Sequence, residues 1–257
     1  MNKQEKMTEE KENLTKLCFI LKRMHLSSMA SELEAQLNDP NVDLLSFSER
    51  FNKIVMAEWN ARQLKKFKRL VKHAELKYPG AYFDESLYDA RRQLDTTTIE
   101  RLNNSTDWID QGRNLLVTGL CGSGKTYYVN ALAISAMHKN KTVRYTRASL
   151  LMNEIKRIEQ LNDADATYKE FIELSTVDIL IIDDFGLMPL DFDTCRRLFE
   201  ILDSREARKT TIVVSQVPVK GWYELFQNDT YADACLDRLI ANAFRLEFNG
   251  IDMRKSS

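Results

Sequence analysis

Glycine and proline are scarce in this chain, eight and four among 257 residues, and no low-complexity tract interrupts it. The four cysteines, Cys18, Cys121, Cys195 and Cys235, are scattered without a C-x-x-C pair, so neither a disulfide framework nor a zinc site is expected. Three histidines, His25, His73 and His138, lie far apart and give no metal-ligand spacing. The charged N-terminus lacks the apolar stretch of a signal peptide. No run reaches the roughly 18 apolar residues that span a membrane. A reducing cytoplasm is the expected compartment.

Hydrophobic residues make up 44% of the chain, enough for a packed core, and 29% are charged with a formal net charge of −1. The charge is uneven. Residues 1–78 hold 15 basic and 11 acidic residues, net +4, and the remainder holds 22 and 27, net −5. A basic N-terminal module suits an anionic partner.

Residues 14–37 have helical apolar spacing, and Asp39-Pro40 breaks the chain after them. A second helical stretch runs from near Ser46 towards Leu76, with Tyr78-Pro79-Gly80 as its expected end. Residues 1–78 therefore read as a small all-helical domain. From 79 to 257 the pattern changes to β-rich runs alternating with helical ones. The strands are Leu115–Thr118, Thr142–Thr146, Val177–Ile182, Thr211–Ser215 and Phe244–Phe248. Such alternation predicts an α/β domain with a parallel sheet flanked by helices, binding ligands at the carboxyl ends of its strands.

Residues 119–126, Gly-Leu-Cys-Gly-Ser-Gly-Lys-Thr, fit the phosphate-loop pattern G-x-x-x-x-G-K-[ST] between a strand and an apolar helix from Thr126 to His138. Glycines let the loop curl with its N–H groups inward, and the helix N-terminus adds partial positive charge. Lys125 is placed to reach the β and γ phosphates of ATP, and Thr126 to ligate Mg²⁺. The expected nucleotide-binding run is Gly119, Leu120, Cys121, Gly122, Ser123, Gly124, Lys125, Thr126 and Tyr127. Cys121 reads either as a small residue at a tolerant position or as an activated thiol beside Lys125.

Residues 177–184, Val-Asp-Ile-Leu-Ile-Ile-Asp-Asp, read as a buried strand ending in two acids. Asp183 is placed to hold Mg²⁺ through water, and Asp184 to polarise the attacking water as general base. Ser215 and Gln216 close a further strand, where a polar group can orient water.

Three further runs carry a family resemblance: Phe185-Gly186 with Pro189-Leu190 and Ser215-Gln216-Val217-Pro218; Asp229 to Leu239, with its D-T-x-A-D-A-x-x-D-R-L pattern; and the tail Gly250-Ile251-Asp252-Met253-Arg254-Lys255. With the phosphate loop and the paired acids, and with Phe47-Ser48-Glu49-Arg50-Phe51 and Glu58-Trp59, they resemble the IstB-type ATPases, helper proteins of insertion-sequence transposition related to the helicase loader DnaC. The resemblance covers nearly the whole chain. It implies an AAA+ core that forms a homo-oligomer with ATP at subunit boundaries. Arg238 would be the arginine finger acting in trans, Arg254 the second sensor arginine acting in its own subunit, and Ser215 and Gln216 the first sensor. It also implies ATP-dependent binding and remodelling of duplex DNA and recruitment of the partner transposase. Two departures stand out. AAA+ proteins usually have Glu at Asp184, so slow hydrolysis is expected. Many relatives have threonine at Val214, which leaves the first-sensor register open.

Residues 59–74 carry six basic residues and no acid: Arg62, Lys65, Lys66, Lys68, Arg69 and Lys72. They read equally as a solvated helix face or as phosphate contacts. A second DNA candidate is Arg147 with Lys156 and Arg157, expected in the helical segment after the second strand. The function this supports is an ATP-dependent, DNA-binding regulator of transposition. A DnaC-like helicase loader, a nucleotide switch without turnover and a small-molecule kinase are the alternatives.

Overall fold

The computed structural model describes residues 3–89, 92–160 and 164–250. The chain divides into two compact units, Met1–Lys68 and Arg69–Ser257. The first unit is helical and holds α1 (Lys3–Arg23), α2 (Ser27–Leu37) and most of α3 (Phe47–Ala74). Helical spacing across 14–37 does not make one helix. His25 takes a left-handed conformation, φ 59°, and ends α1. The Leu26 N–H donates to Leu21 O at 2.9 Å and the His25 N–H to Lys22 O at 3.1 Å, the paired bonds of a Schellman end. The apolar phase runs on into α2, so the break leaves no mark on the periodicity. Likewise α3 stops at Ala74 before Tyr78-Pro79-Gly80, and Glu75 follows at φ 53°.

No residue of its own caps the start of α2. Glu58 of α3 does so, accepting from the Ser28 N–H at 3.0 Å while Arg62 donates to its other oxygen at 2.8 Å. These bonds, the Arg62 one foremost, hold the Glu58 carboxyl below the usual carboxylate range. Cys18, Ala30 and Leu33 form the small core of this unit, with Leu14, Leu21 and Ile54 packed against it.

The second unit continues from α3 through α4 (Thr96–Asn104) and α5 (Asp107–Asp110) to β1 (Leu115–Gly119), α6 (Lys125–His138) and β2 (Val143–Arg147). Then come α7 (Ala148–Gln160), α8 (Ala164–Thr176), β3 (Ile179–Phe185), α9 (Phe192–Arg205), β4 (Thr210–Ser215), α10 (Asp229–Ile240) and β5 (Phe244–Phe248). The five strands are parallel in the order β2-β3-β4-β1-β5. All six residues of β4 and the first five of β3 are buried, as strands covered on both faces require.

On one side Leu116, Leu180, Ile182 and Val213 form a core with Leu151, Leu198, Cys235 and Leu239. Arg205 is buried and donates to the carbonyls of Leu174 at 2.6 Å and Val177 at 3.0 Å and to the Thr211 hydroxyl at 3.0 Å. Asp178, which opens the acid-bearing run, belongs to the far end of the sheet. It accepts from the Thr142 N–H at 2.8 Å and from Lys209 at 2.7 Å, clasping three chain segments together. Among the described residues no helix is long and apolar enough to cross a membrane. All four cysteines are free, and only Cys121 is exposed.

Candidate functional site

Insertion of β4 between β1 and β3 sets the carboxyl ends of these three strands side by side. The loop 119–124 leaves β1 and enters α6 with Gly119, Gly122 and Gly124 at φ 139°, 80° and 90°. At Gly119 a Cβ would lie 2.2 Å from Phe248 O on the neighbouring strand β5, so no side chain fits there. No side chain caps the first turn of α6. Its N–H groups and helix dipole are the elements of an anion cradle.

Lys125 is 7% exposed and its ammonium donates to Gly119 O at 2.7 Å and Leu120 O at 2.6 Å. Burial holds its pKa below the ordinary lysine value, against the opposing pull of Cys121, Asp183 and Asp184. The Thr126 hydroxyl donates to Asp183 Oδ2 at 2.9 Å, joining residues 57 apart in sequence. Asp183 is 1% exposed. Its Oδ2 also accepts from the Tyr145 hydroxyl at 2.7 Å, and its Oδ1 from the Asp184 N–H at 2.8 Å. Among the described residues no cation forms an ion pair with it. A buried carboxylate held by three neutral donors and no cation is a place for a positively charged partner.

Asp184 sits at φ 56°, where the β3–β4 register slips between Ile182 and Phe185. The bulge interrupts the alternation of the strand, and both acids line one cavity. Asp184 tolerates this backbone better than most residues because its short side chain suits left-handed positions. Its Oδ2 lies 3.6 Å from Arg147 Nε. Arg147 closes β2 and does not belong to the helix after it, contrary to expectation.

Ser215, at the end of β4, lines the cavity. It is 1% exposed, donates to Phe185 O at 2.6 Å and accepts from the Val217 N–H at 3.0 Å. Its hydroxyl thus ties β4 to the end of β3 and keeps one lone pair. Gln216 is exposed and lines the cavity.

That cavity measures about 590 Å³ and runs from the phosphate loop to the segment after α3. Lys125, Asp183 and Gln216 line one end and Tyr78, Tyr82 and Leu87 the other. Tyr127 faces Tyr78 and Tyr82 with ring centroids 5.9 and 6.5 Å away. Asn130 is fully buried in α6. Its Oδ1 accepts from the Tyr78 N–H at 3.0 Å and its amide donates to Thr126 O at 2.7 Å, fixing the aromatic wall to the loop helix. Arg92 donates to Ser123 O at 3.1 Å. Sequence reasoning missed Tyr78, Tyr82, Arg92, Asn130 and Tyr145. Only Tyr145 carried a signal, since it shares a strand face with Arg147 two positions on.

Arg238 does not line this cavity. Its Nη2 meets Asp203 Oδ1 at 2.6 Å, its Nε lies 3.4 Å from Glu206, and its guanidinium is 4.5 Å from the Phe199 ring centroid. Arg254 lies outside the described residues. Of the DNA candidates, Lys65, Lys66, Lys68, Arg69 and Lys72 are exposed on α3 and form no ion pair among the described residues. Arg62 pairs with Glu58. Lys156 pairs with Asp191 at 2.6 Å and Arg157 with Glu154 at 2.6 Å, so each basic residue of the second patch has an acid beside it.

Residues 20–257 match the family described as IstB-like ATP binding protein. The chain is 33% identical to the insertion sequence ATP-binding protein y4uH of Sinorhizobium fredii over 236 residues, 92% of this chain and 93% of that one. It is 35% identical to the IS1162 ATP-binding protein of Pseudomonas fluorescens over 199 residues, 77% of this chain and 84% of that one. The solved DnaC helicase loader superposes with a TM-score of 0.51 at 16% identity, over 65% of this chain and 93% of that one. DnaI gives 0.51 at 18% identity, over 62% and 84%. The likeness to these two is one of fold, an AAA+ core. With its glycine loop, its Thr126–Asp183 bond and its matches over most of its length, the chain belongs to the IstB-like family of insertion-sequence ATP-binding proteins.

Proposed function

We propose that the protein is a slow ATPase that assembles on duplex DNA in the cytoplasm, reshapes it and recruits the transposase of its own element. The observation that carries the ATP site is the bond between Thr126 and the buried Asp183 at the mouth of the glycine loop. The phosphates take the place of the Gly119 and Leu120 carbonyls as partners of Lys125, whose charge then lies on the β and γ oxygens. The aromatic wall of Tyr78, Tyr82 and Tyr127 suits a nucleobase face.

Mg²⁺ fits the residues present. It takes few protein ligands and keeps its waters, in line with one hydroxyl, Thr126, and one carboxylate, Asp183, acting through water. Bound there, it would neutralise charge on the phosphate oxygens. Asp184 accepts the proton of the attacking water and Gln216 orients that water. Aspartate is one methylene short of the usual glutamate, and Arg147 draws on its charge, which is why turnover is slow in this reading. Arg238 completes the site of a neighbouring copy, since it lies outside the cavity of its own chain, and Arg254 acts as a sensor within its own subunit. Lys65, Lys66, Lys68 and Arg69 supply exposed, unmatched charge for the DNA backbone.

A nucleotide switch without turnover is the second reading, favoured by the same Arg147–Asp184 pair. Titration of a fluorescent ATP analogue onto Lys125→Ala tests the site. Loss of tight binding is expected, and near-normal affinity would overturn the assignment.

A further inference from the structure

Tyr145 lies on β2, outside both nucleotide motifs, yet its hydroxyl is 2.7 Å from Asp183 Oδ2. The ring is 6% exposed. A tyrosine hydroxyl this close to a carboxylate oxygen donates to it. The same carboxylate oxygen accepts from Thr126 at 2.9 Å, and the other accepts from the Asp184 N–H at 2.8 Å. Three donors from three segments thus hold one carboxylate. The Thr126 bond binds it to the phosphate loop. The Asp184 N–H is tied to the bulge at the end of β3. Tyr145 is the only one of the three fixed on a different strand, through the parallel register that sets it opposite Ile181.

From this geometry we infer that Tyr145 is a positioning residue for the cation site, fixing the rotamer of Asp183 and filling a lone pair of Oδ2. With both Oδ2 positions taken by donors, Asp183 is turned towards holding a cation's water rather than swinging in to ligate the ion directly. The Thr126 hydroxyl meanwhile keeps its own lone pairs for the ion while its proton points at Asp183. A ligand held by a neighbouring hydrogen bond gives tighter and more selective metal binding than a free one. This inference rests on the reading of Asp183 as the metal-side acid.

The test is the full-length protein with ADP, titrated with Mn²⁺ and followed by electron paramagnetic resonance. Tyr145→Phe keeps the ring in its buried place and removes only the hydroxyl. Mn²⁺ affinity in the ADP complex should fall severalfold, up to about tenfold, the lower end for the partner of a direct ligand, since Asp183 itself acts through water. ADP affinity in EDTA should stay within about twofold, a split that loosened packing around the ring would not produce. Combining Tyr145→Phe with Asp183→Asn should cost no more than Asp183→Asn alone, because Tyr145 acts through that acid. Unchanged Mn²⁺ affinity in Tyr145→Phe, or additive losses in the double variant, would overturn the role of Tyr145 and leave the site standing. Wild-type Mn²⁺ affinity in Asp183→Asn would overturn the site itself, and Tyr145's role with it.

Discussion

Arg147 Nε lies 3.6 Å from Asp184 Oδ2, so the last residue of β2 presents a cation to the acid that turns out of β3. Both side chains are partly exposed, and such a pair is worth under about 1 kcal/mol. It restrains Asp184 without burying it. Asp184→Asn should bind ATP and DNA but turn over about 10²–10⁴-fold more slowly, the usual cost of a lost general base. A phosphate-release assay decides this, and unchanged turnover would remove Asp184 from the chemistry. Arg147→Ala should turn over up to about fivefold faster without DNA, matching the energy of an exposed pair. A large loss instead would make Arg147 part of the reaction.

Among the described residues Lys65, Lys66 and Lys68 are exposed and form no ion pair, whereas Arg62, Lys156 and Arg157 have acids beside them. Replacing the three lysines with alanine should weaken binding alike on unrelated duplexes. The slope of log affinity against log salt should shrink by about 0.9 for each DNA phosphate that is no longer neutralised. An unaltered slope would return this face of α3 to the solvent.

Asp191 caps α9 through the Thr194 N–H at 3.0 Å and pairs with Lys156 at 2.6 Å. The Lys156 bond, followed by those from Thr194, draws its carboxyl down to about 2. A carboxyl lowered on folding stabilises the fold above its unfolded pKa, and that contribution is lost as pH falls through the folded value. Because both partners are nearly half exposed, the contribution is under about 1 kcal/mol. Asp191→Asn keeps a capping oxygen but not the charge. Urea melts should show the variant less stable near neutral pH and equal to the parent once the pH is below about 2. A difference that persists at low pH would mean that the cap, not the charge, is what matters.

Much of this was legible in the sequence, and the rest had physical reasons to be hidden. The strand Phe244–Phe248 and the glycine loop announce themselves through apolar runs and through spacing that only a tight loop needs. The helix ends at His25 and Glu75 do not, because ordinary residues take the left-handed turn that glycine usually marks. Ser215 reads as a sensor from its place at a strand end. Its hydroxyl bonds Phe185 and Val217 because β4 lies beside β3, an order no local pattern encodes. Tyr145 and Arg147 share one face of β2, a period-two relation visible in advance, but its meaning depends on the register with Asp183. Asn130 and Arg92 hold the cavity through bonds spanning 52 and 31 residues, beyond the reach of any pattern read along the chain.

In the proposed assembly a second copy of the chain completes the ATP site. Arg238 is held against Asp203, Glu206 and Phe199, away from the cavity of its own subunit. Arg238→Ala should bind ATP nearly normally and hydrolyse it poorly, since such an arginine is worth about 10³–10⁵-fold in related NTPases. Lys125→Ala has the finger and lacks the pocket. When the two inactive variants are mixed and mixed oligomers are verified by mass, one good pocket meets one good finger and part of the ATPase activity returns. Verified mixed oligomers with no recovered turnover would contradict the shared site and leave Arg238 as a residue of the α9–α10 packing alone.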